Sequence, residues 1–220
     1  MTRRNPWPAR SYRRKEAIRE SYDAVLIVCE GEKTEPEYLK GLQRTYRLSN
    51  ANITILPGDG NDPVSIVKHA LKLFQKADRA YDRVFCVFDR DGHVNDQQAL
   101  DQVANSPLGK KGRLDAITSV PCFEFWVLLH FEYTAAPFTA VGGKSACEKV
   151  IEKVRGHFQA YQKAMGEVFE SLLPRVDTAI THARTLARHN HETGTSNPAT
   201  KVHELVTYLR GLKKAPEVNP

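Results

Sequence analysis

A chain of 220 residues with an apolar share of 41% is long enough for one large domain or a compact core with an addition, and too short for two independent domains to be expected. No apolar run approaches the ~20 residues of a membrane span, and the Arg-rich start has no apolar core of the kind a secretory signal needs, so no membrane association and a cytoplasmic location are expected. The net charge of +6 is concentrated at the start: Arg3, Arg4, Arg10, Arg13, Arg14, Lys15 and Arg19 face only Glu16 and Glu20 within residues 1–20, and the remainder is close to neutral.

That basic arm, residues 1–20, has Trp7 and Tyr12 among its cations. It suits either a disordered, solvated tail or a grip on nucleic-acid backbone with base stacking. Ala24 to Cys29 is then an unbroken, β-branched apolar run of the length and composition of a strand buried on both faces. It ends in acid: Glu30 and Glu32 flank Gly31, and Thr34 with Glu37 makes a capping-box signature for a helix from Glu35 to about Tyr46. Tyr38, Leu39, Leu42 and Tyr46 share its apolar face. Asn52 to Leu56 reads as a short strand. In the turn that follows, Asn61 or Asp62 is placed to cap a helix opening at Pro63, with Val64, Val67, Leu71 and Phe74 facing the core to about Arg79.

Arg83 to Phe88 is the second strongly apolar run, and it delivers Asp89, Arg90, Asp91 and His93 at its end. The alternation of strand and helix demands a parallel sheet, whose right-handed crossovers bring the carboxyl ends of the strands to one edge. A polar helix is expected from Val94 to about Asn105, then a basic turn with Lys110 and Lys111, and a fourth strand over Leu114 to Val120. After Pro121 comes a short, almost wholly apolar helix containing Glu124 and His130. These two lie about 120° apart around it, so each needs its own partner. Beyond Pro137 the pattern is helical: Lys144 to about Val154, His157 to about Leu173, Arg175 to about His189, and a last helix from Pro198 to about Leu212 with Asn197 as its cap.

The four cysteines, Cys29, Cys86, Cys122 and Cys147, form no CxxC pair and have no histidine at zinc-finger spacing, which argues against structural zinc. Cys29 and Cys86 fall in strand-like runs and read as small buried hydrophobes. No GxGxxG or GxxxxGK[ST] loop occurs, so neither dinucleotide binding nor ATP hydrolysis by this chain is expected.

A Glu after the first strand and an Asp-x-Asp after the third are the elements of the Toprim site of topoisomerases, bacterial primases and OLD-type nucleases. The longer words CEGEKTEPEYL, FDRDGH, PCFEFWVLLHF and NPATKVHELV, in that order, resemble the RloB-like family of Toprim-type proteins over about Val25 to Leu209. The matching positions are Glu30, Thr34, Glu35, Asp89, Asp91, His93, Glu124, His130, Asn197 and Thr200. Val120 departs from the family, which commonly has Asn there.

The resemblance implies a Toprim-like (Rossmann-like) α/β fold, its mainly parallel sheet flanked by helices. The core spans residues 21–136, a helical C-terminal part packs on it over 137–212, and 213–220 is a tail. It also implies a nuclease cleaving RNA, transfer RNA among the candidates, or DNA, with Mg²⁺ or Mn²⁺ on Glu30, Asp89, Asp91 and Glu35. Glu124 and His93 join Glu30, Asp89 and Asp91 in the catalytic set, and Lys33, Thr34, Arg90, Lys110 and Lys111 are candidate substrate contacts. The family is associated with anti-phage defence and is encoded beside an ABC/AAA-type ATPase, the expected partner. The other class of function left open is a non-catalytic partner module that binds the ATPase or a phage trigger.

Overall fold

The computed structural model describes residues 23–48, 52–60, 62–77, 81–90, 95–159, 161 and 168–212. Its elements in chain order are β1 (Val25–Cys29), α1 (Thr34–Thr45), β2 (Ile53–Pro57), α2 (Pro63–Lys76), β3 (Arg83–Asp89), α3 (Asn95–Asn105), β4 (Leu114–Val120), α4 (Glu124–Leu128), α5 (Ala146–His157), α6 (Val168–Leu172), α7 (Val176–Thr193), β5 (Ala199–Thr200) and α8 (Val202–Gly211). The strands form one sheet in the order β2-β1-β3-β4-β5. The first four run parallel, and β5 alone is antiparallel, against β4. The basic arm, Asp91 and His93 lie outside the described residues.

Every side chain of β1 is buried, as an unbroken apolar run requires when both faces of a sheet are covered. Alternation along the strand assigns the faces. Val25, Ile27 and Cys29, with Phe85, Val87 and Ile117, pack into a core shared with α1, α4, α5, α7 and α8. Leu26 and Val28, with Val84, Cys86 and Phe88, face α2 and α3. The helical C-terminal part is therefore one wall of the same core, and through β5 it also completes the sheet.

The caps follow the sequence at α2 and depart from it at α1. Asp62 Oδ1 accepts hydrogen bonds from the Val64 and Ser65 amides at 3.1 Å each, with Pro63 in the first turn. At α1 the helix begins one residue earlier than the capping-box reading required. Lys33 is the cap residue and makes no side-chain cap bond, and Thr34 is already helical. A hydroxyl inside the first turn no longer has the extended backbone that aims it at the free amides.

Three further expectations are corrected. Pro198 does not open the last helix: Ala199 and Thr200 pair with Val120 and Ser119, and α8 starts at Val202. Helix α7 runs past His189 to Thr193, where Gly194 takes up the left-handed conformation (φ 69°) that glycine adopts without steric cost. The helix expected over His157 to Leu173 is not one element: α5 ends at His157 and α6 begins at Val168, with residues 162–167 outside the described set.

Candidate functional site

Parallel pairing places the carboxyl ends of β1, β3 and β4 at one edge, with Cys29 level with Val87 and Asp89 level with Ser119. The chain leaves β1 for β2 on one side and returns to β3 on the other. The crevice between the ends of β1 and β3 is thus the point where the strand order reverses, the usual ligand position in open α/β sheets. Glu30 and Asp89 occupy it. Glu30 Oε2 accepts a hydrogen bond from the Asp89 backbone amide at 2.9 Å, and the Glu30 amide donates to Val87 O at 2.8 Å. The Glu30 carboxylate is therefore held against the end of β3 by a charge-assisted bond.

Glu35, in the first turn of α1, is buried. Its carboxylate packs against Gly31, where an added β-carbon would displace the Glu35 carboxylate end. Glu124, the first residue of α4, is only 2% exposed. Tyr161, also buried, lies near both: burial first, then the Glu124 and Glu35 carboxylates, push its phenol above the ordinary range. Glu124 and Glu35, far apart in sequence, are thus brought around one tyrosine, a residue with no motif to announce it.

His130 is satisfied inside the core. Its Nδ1 faces Trp126 O at 3.0 Å and its Nε2 faces the Tyr38 hydroxyl at 3.2 Å. With Nδ1 donating to the carbonyl, Nε2 accepts from the tyrosine. Burial holds this imidazole down at about 4, so it stays neutral through the physiological range. It fixes α4 against α1 and has no exposed face for chemistry.

Of the basic candidates, Arg90 is at the acidic edge, where its amide donates to Ser119 O at 2.7 Å. Lys33 is exposed on the loop that follows β1, and Thr34, the first residue of α1, is half-buried. Lys110 and Lys111 are not brought there. They form a turn just before β4, and Arg113 beside them bonds to the Asp82 carbonyl ahead of β3. They sit at the opposite edge, about 20 Å away along a seven-residue strand.

Asn197 does not cap a helix; its side chain spans to another loop. Its Oδ1 accepts from the Phe138 amide at 3.1 Å and its Nδ2 donates to the Phe138 carbonyl at 2.8 Å, so the carboxamide pairs with that backbone as a strand would. Thr200 Oγ1 lies 3.0 Å from Ser119 Oγ and accepts from the Val202 amide at 3.2 Å, joining β5 to β4 and to α8. A cavity of about 580 Å³ opens between these loops, lined by Arg90, Asp96, Val120, Ser145, Cys147 and Asn197 among others. It reaches the ends of β3 and β4 through Arg90 and Val120.

Cys122 and Cys147, 25 residues apart, are joined in a disulfide, whereas Cys29 and Cys86 are free and buried. Burial pushes the Cys29 thiol up strongly and the Cys86 thiol to about 12, which leaves both protonated and inert. Glu124 Oε2 lies 3.4 Å from Cys147 Sγ. A disulfide sulfur has no proton to donate, so this is a contact and not a hydrogen bond.

No helix among the described residues is long and apolar enough to cross a membrane. The sequence profile of the RloB-like protein family matches residues 25–209, from the first residue of β1 into α8. Neither the comparison with curated proteins nor that with solved structures finds a match.

Proposed function

The chain belongs to the RloB-like protein family, and from that premise we propose that it is a metal-dependent nuclease that hydrolyses phosphodiester bonds of RNA or DNA, the effector of an ATPase-coupled anti-phage system. The observation that carries this reading is the Glu30–Asp89 pair at the strand-order reversal, with one Glu30 oxygen 2.9 Å from the Asp89 amide. Two carboxylate residues at adjacent strand ends are a hard-oxygen donor set, which suits Mg²⁺ or Mn²⁺ rather than a thiophilic ion. Glu30 and Asp89 would hold the ion, with Asp91 a further proposed ligand from the sequence and Glu35 close behind Gly31. When bound, the ion supplies charge neutralisation at the phosphate and at the displaced oxygen.

The chain's own residues do the rest. Arg90 follows Asp89 directly and lines the cavity, where its guanidinium orients a substrate phosphate. Glu124 handles the proton of the attacking water or the leaving group, the role of a buried carboxylate near the site. The helical C-terminal part supplies a surface for the ATPase partner.

The test is cleavage of labelled RNA and duplex DNA by the purified chain, alone and with the ATPase encoded beside its gene, in Mg²⁺ and in EDTA. Asp89→Asn is expected to retain the fold and lose at least about a hundredfold in rate, the scale of one lost group that stabilises transition-state charge. Cleavage by folded Asp89→Asn at the wild-type rate overturns the reading. A wild-type chain inert towards both polymers, yet in stable complex with the ATPase, would make it a binding module instead.

A further inference from the structure

We propose that Cys122, Cys147 and Glu124 form a thiol-dependent site for a divalent cation of the zinc class, closed when the two sulfurs are joined and open when they are reduced. One sulfur from each cysteine and a Glu124 carboxylate oxygen all lie within 4.8 Å of one another. Around a tetrahedral zinc ion with Zn–S near 2.3 Å and Zn–O near 2.1 Å, ligand atoms are separated by about 3.6 to 3.8 Å. The Glu124 oxygen is already 3.4 Å from Cys147 Sγ. The two sulfurs have to part, and the Cα separation of 5.7 Å leaves room for that by side-chain rotation.

The three ligands stand on rigid supports, as a preorganised site requires. Cys122 and Glu124 flank Phe123 at the start of α4, and all three are 2% exposed. Cys147 lies in the first turn of α5, which is fixed by a capping box: Ser145 Oγ accepts from the Glu148 amide at 3.2 Å, and Glu148 Oε2 accepts from the Ser145 amide at 2.7 Å. Cys147 also lines the 580 Å³ cavity, so the cluster has a route to solvent. Two thiolates and a carboxylate leave one tetrahedral position for water or a ligand, the pattern of reactive rather than structural zinc.

The chemistry balances. A small dithiol, or two molecules of a monothiol, gives two electrons and two protons to the Cys122–Cys147 bond, leaving two cysteine thiols and an oxidised disulfide reductant. The cation then replaces the two thiol protons, which pass to solvent. This site uses sulfur where the Glu30–Asp89 pair offers only oxygen; it shares Glu124 with the nuclease reading, and its test reads metal binding rather than cleavage.

The test uses the full chain, reduced under anaerobic conditions, freed of reductant and titrated with Co²⁺ as a spectroscopic probe and then with Zn²⁺. The expected result is one thiolate-bound ion per chain, read from the saturation of a near-ultraviolet thiolate-to-cobalt band that Zn²⁺ displaces. The band should be absent from diamide-oxidised wild type and from Cys122→Ser/Cys147→Ser, and Glu124→Gln should weaken binding about tenfold or more while keeping the band. A reduced wild type without the band overturns the proposal, and this arm needs no substitution. So does a band that survives in the double serine variant or in the oxidised protein, or an affinity unchanged in Glu124→Gln.

Discussion

Replacing Glu30 separates the two tasks assigned to its carboxylate, because one of its oxygens has a structural partner in the Asp89 amide at 2.9 Å. Glu30→Ala leaves that amide without its acceptor beside a sheet end, at a cost of about 1 to 3 kcal/mol. Glu30→Gln keeps an oxygen in place and exchanges a charged acceptor for a neutral one, at about 1 kcal/mol or less, offset by relief of repulsion from Asp89. Magnesium discriminates further: an ion that binds only the folded chain adds about 1.4 kcal/mol of stability at ten times its dissociation constant. Urea denaturation followed by tryptophan fluorescence, with and without MgCl₂, measures both effects. Wild type should gain stability with the ion, Glu30→Gln should not, and Glu30→Ala should be the least stable of the three. An equal magnesium increment in Glu30→Gln, or a Glu30→Ala as stable as Glu30→Gln, would refute this reasoning.

Variants at two further places probe the framework. His130 titrates at about 4 when folded, because burial disfavours its cation, against an ordinary 6.5. The unfolded chain takes up that proton first, so the stability is complete above pH 6.5 and about 3 kcal/mol of it is lost as pH falls to 4. The Tyr38→Phe/His130→Leu pair should flatten that part of the pH profile of the urea midpoint, and parallel profiles would count against the buried neutral imidazole. Asn197→Ala strands the Phe138 amide and carbonyl together and should cost about 1 to 3 kcal/mol by thermal denaturation, with Asn197→Asp, which keeps only the acceptor, in between.

Much of the architecture was legible because burial on two faces writes itself as continuous apolar sequence. Val25–Cys29 and Arg83–Asp89 could be read as strands, and parallel crossovers put their carboxyl ends on one edge; that they are direct neighbours is seen only in their pairing. That same logic puts Glu30 and Asp89 on one edge without any side-chain detail. Lys110 and Lys111, expected among the substrate contacts, instead lie at the far edge, since residues that precede a parallel strand cannot share the edge with those that follow its neighbour. What stayed hidden was non-local. A two-residue strand such as Ala199–Thr200 has no periodicity to detect, and the Asn-Pro before it mimics a helix start. Nothing in the spacing of Cys122 and Cys147 says that α5 packs on α4. Tyr161 has no motif either, and its place beside Glu124 and Glu35 depends on that same packing.

Strand β5 pairs with β4 at Ser119 and Val120, and the Lys201 amide adds a bond to Thr118 O at 2.8 Å. The sequence distance across this pairing is 81 residues between Ser119 and Thr200. On a ribosome that adds 5 to 20 residues each second, the outer side of β4 waits roughly 4 to 16 seconds after its own synthesis before its covering strand exists. Throughout that interval its free amides and carbonyls form an edge on which a strand of another nascent chain can dock. Closure of the sheet is thus among the last events of biosynthesis, and residues 199–201 decide whether the finished molecule keeps that edge to itself.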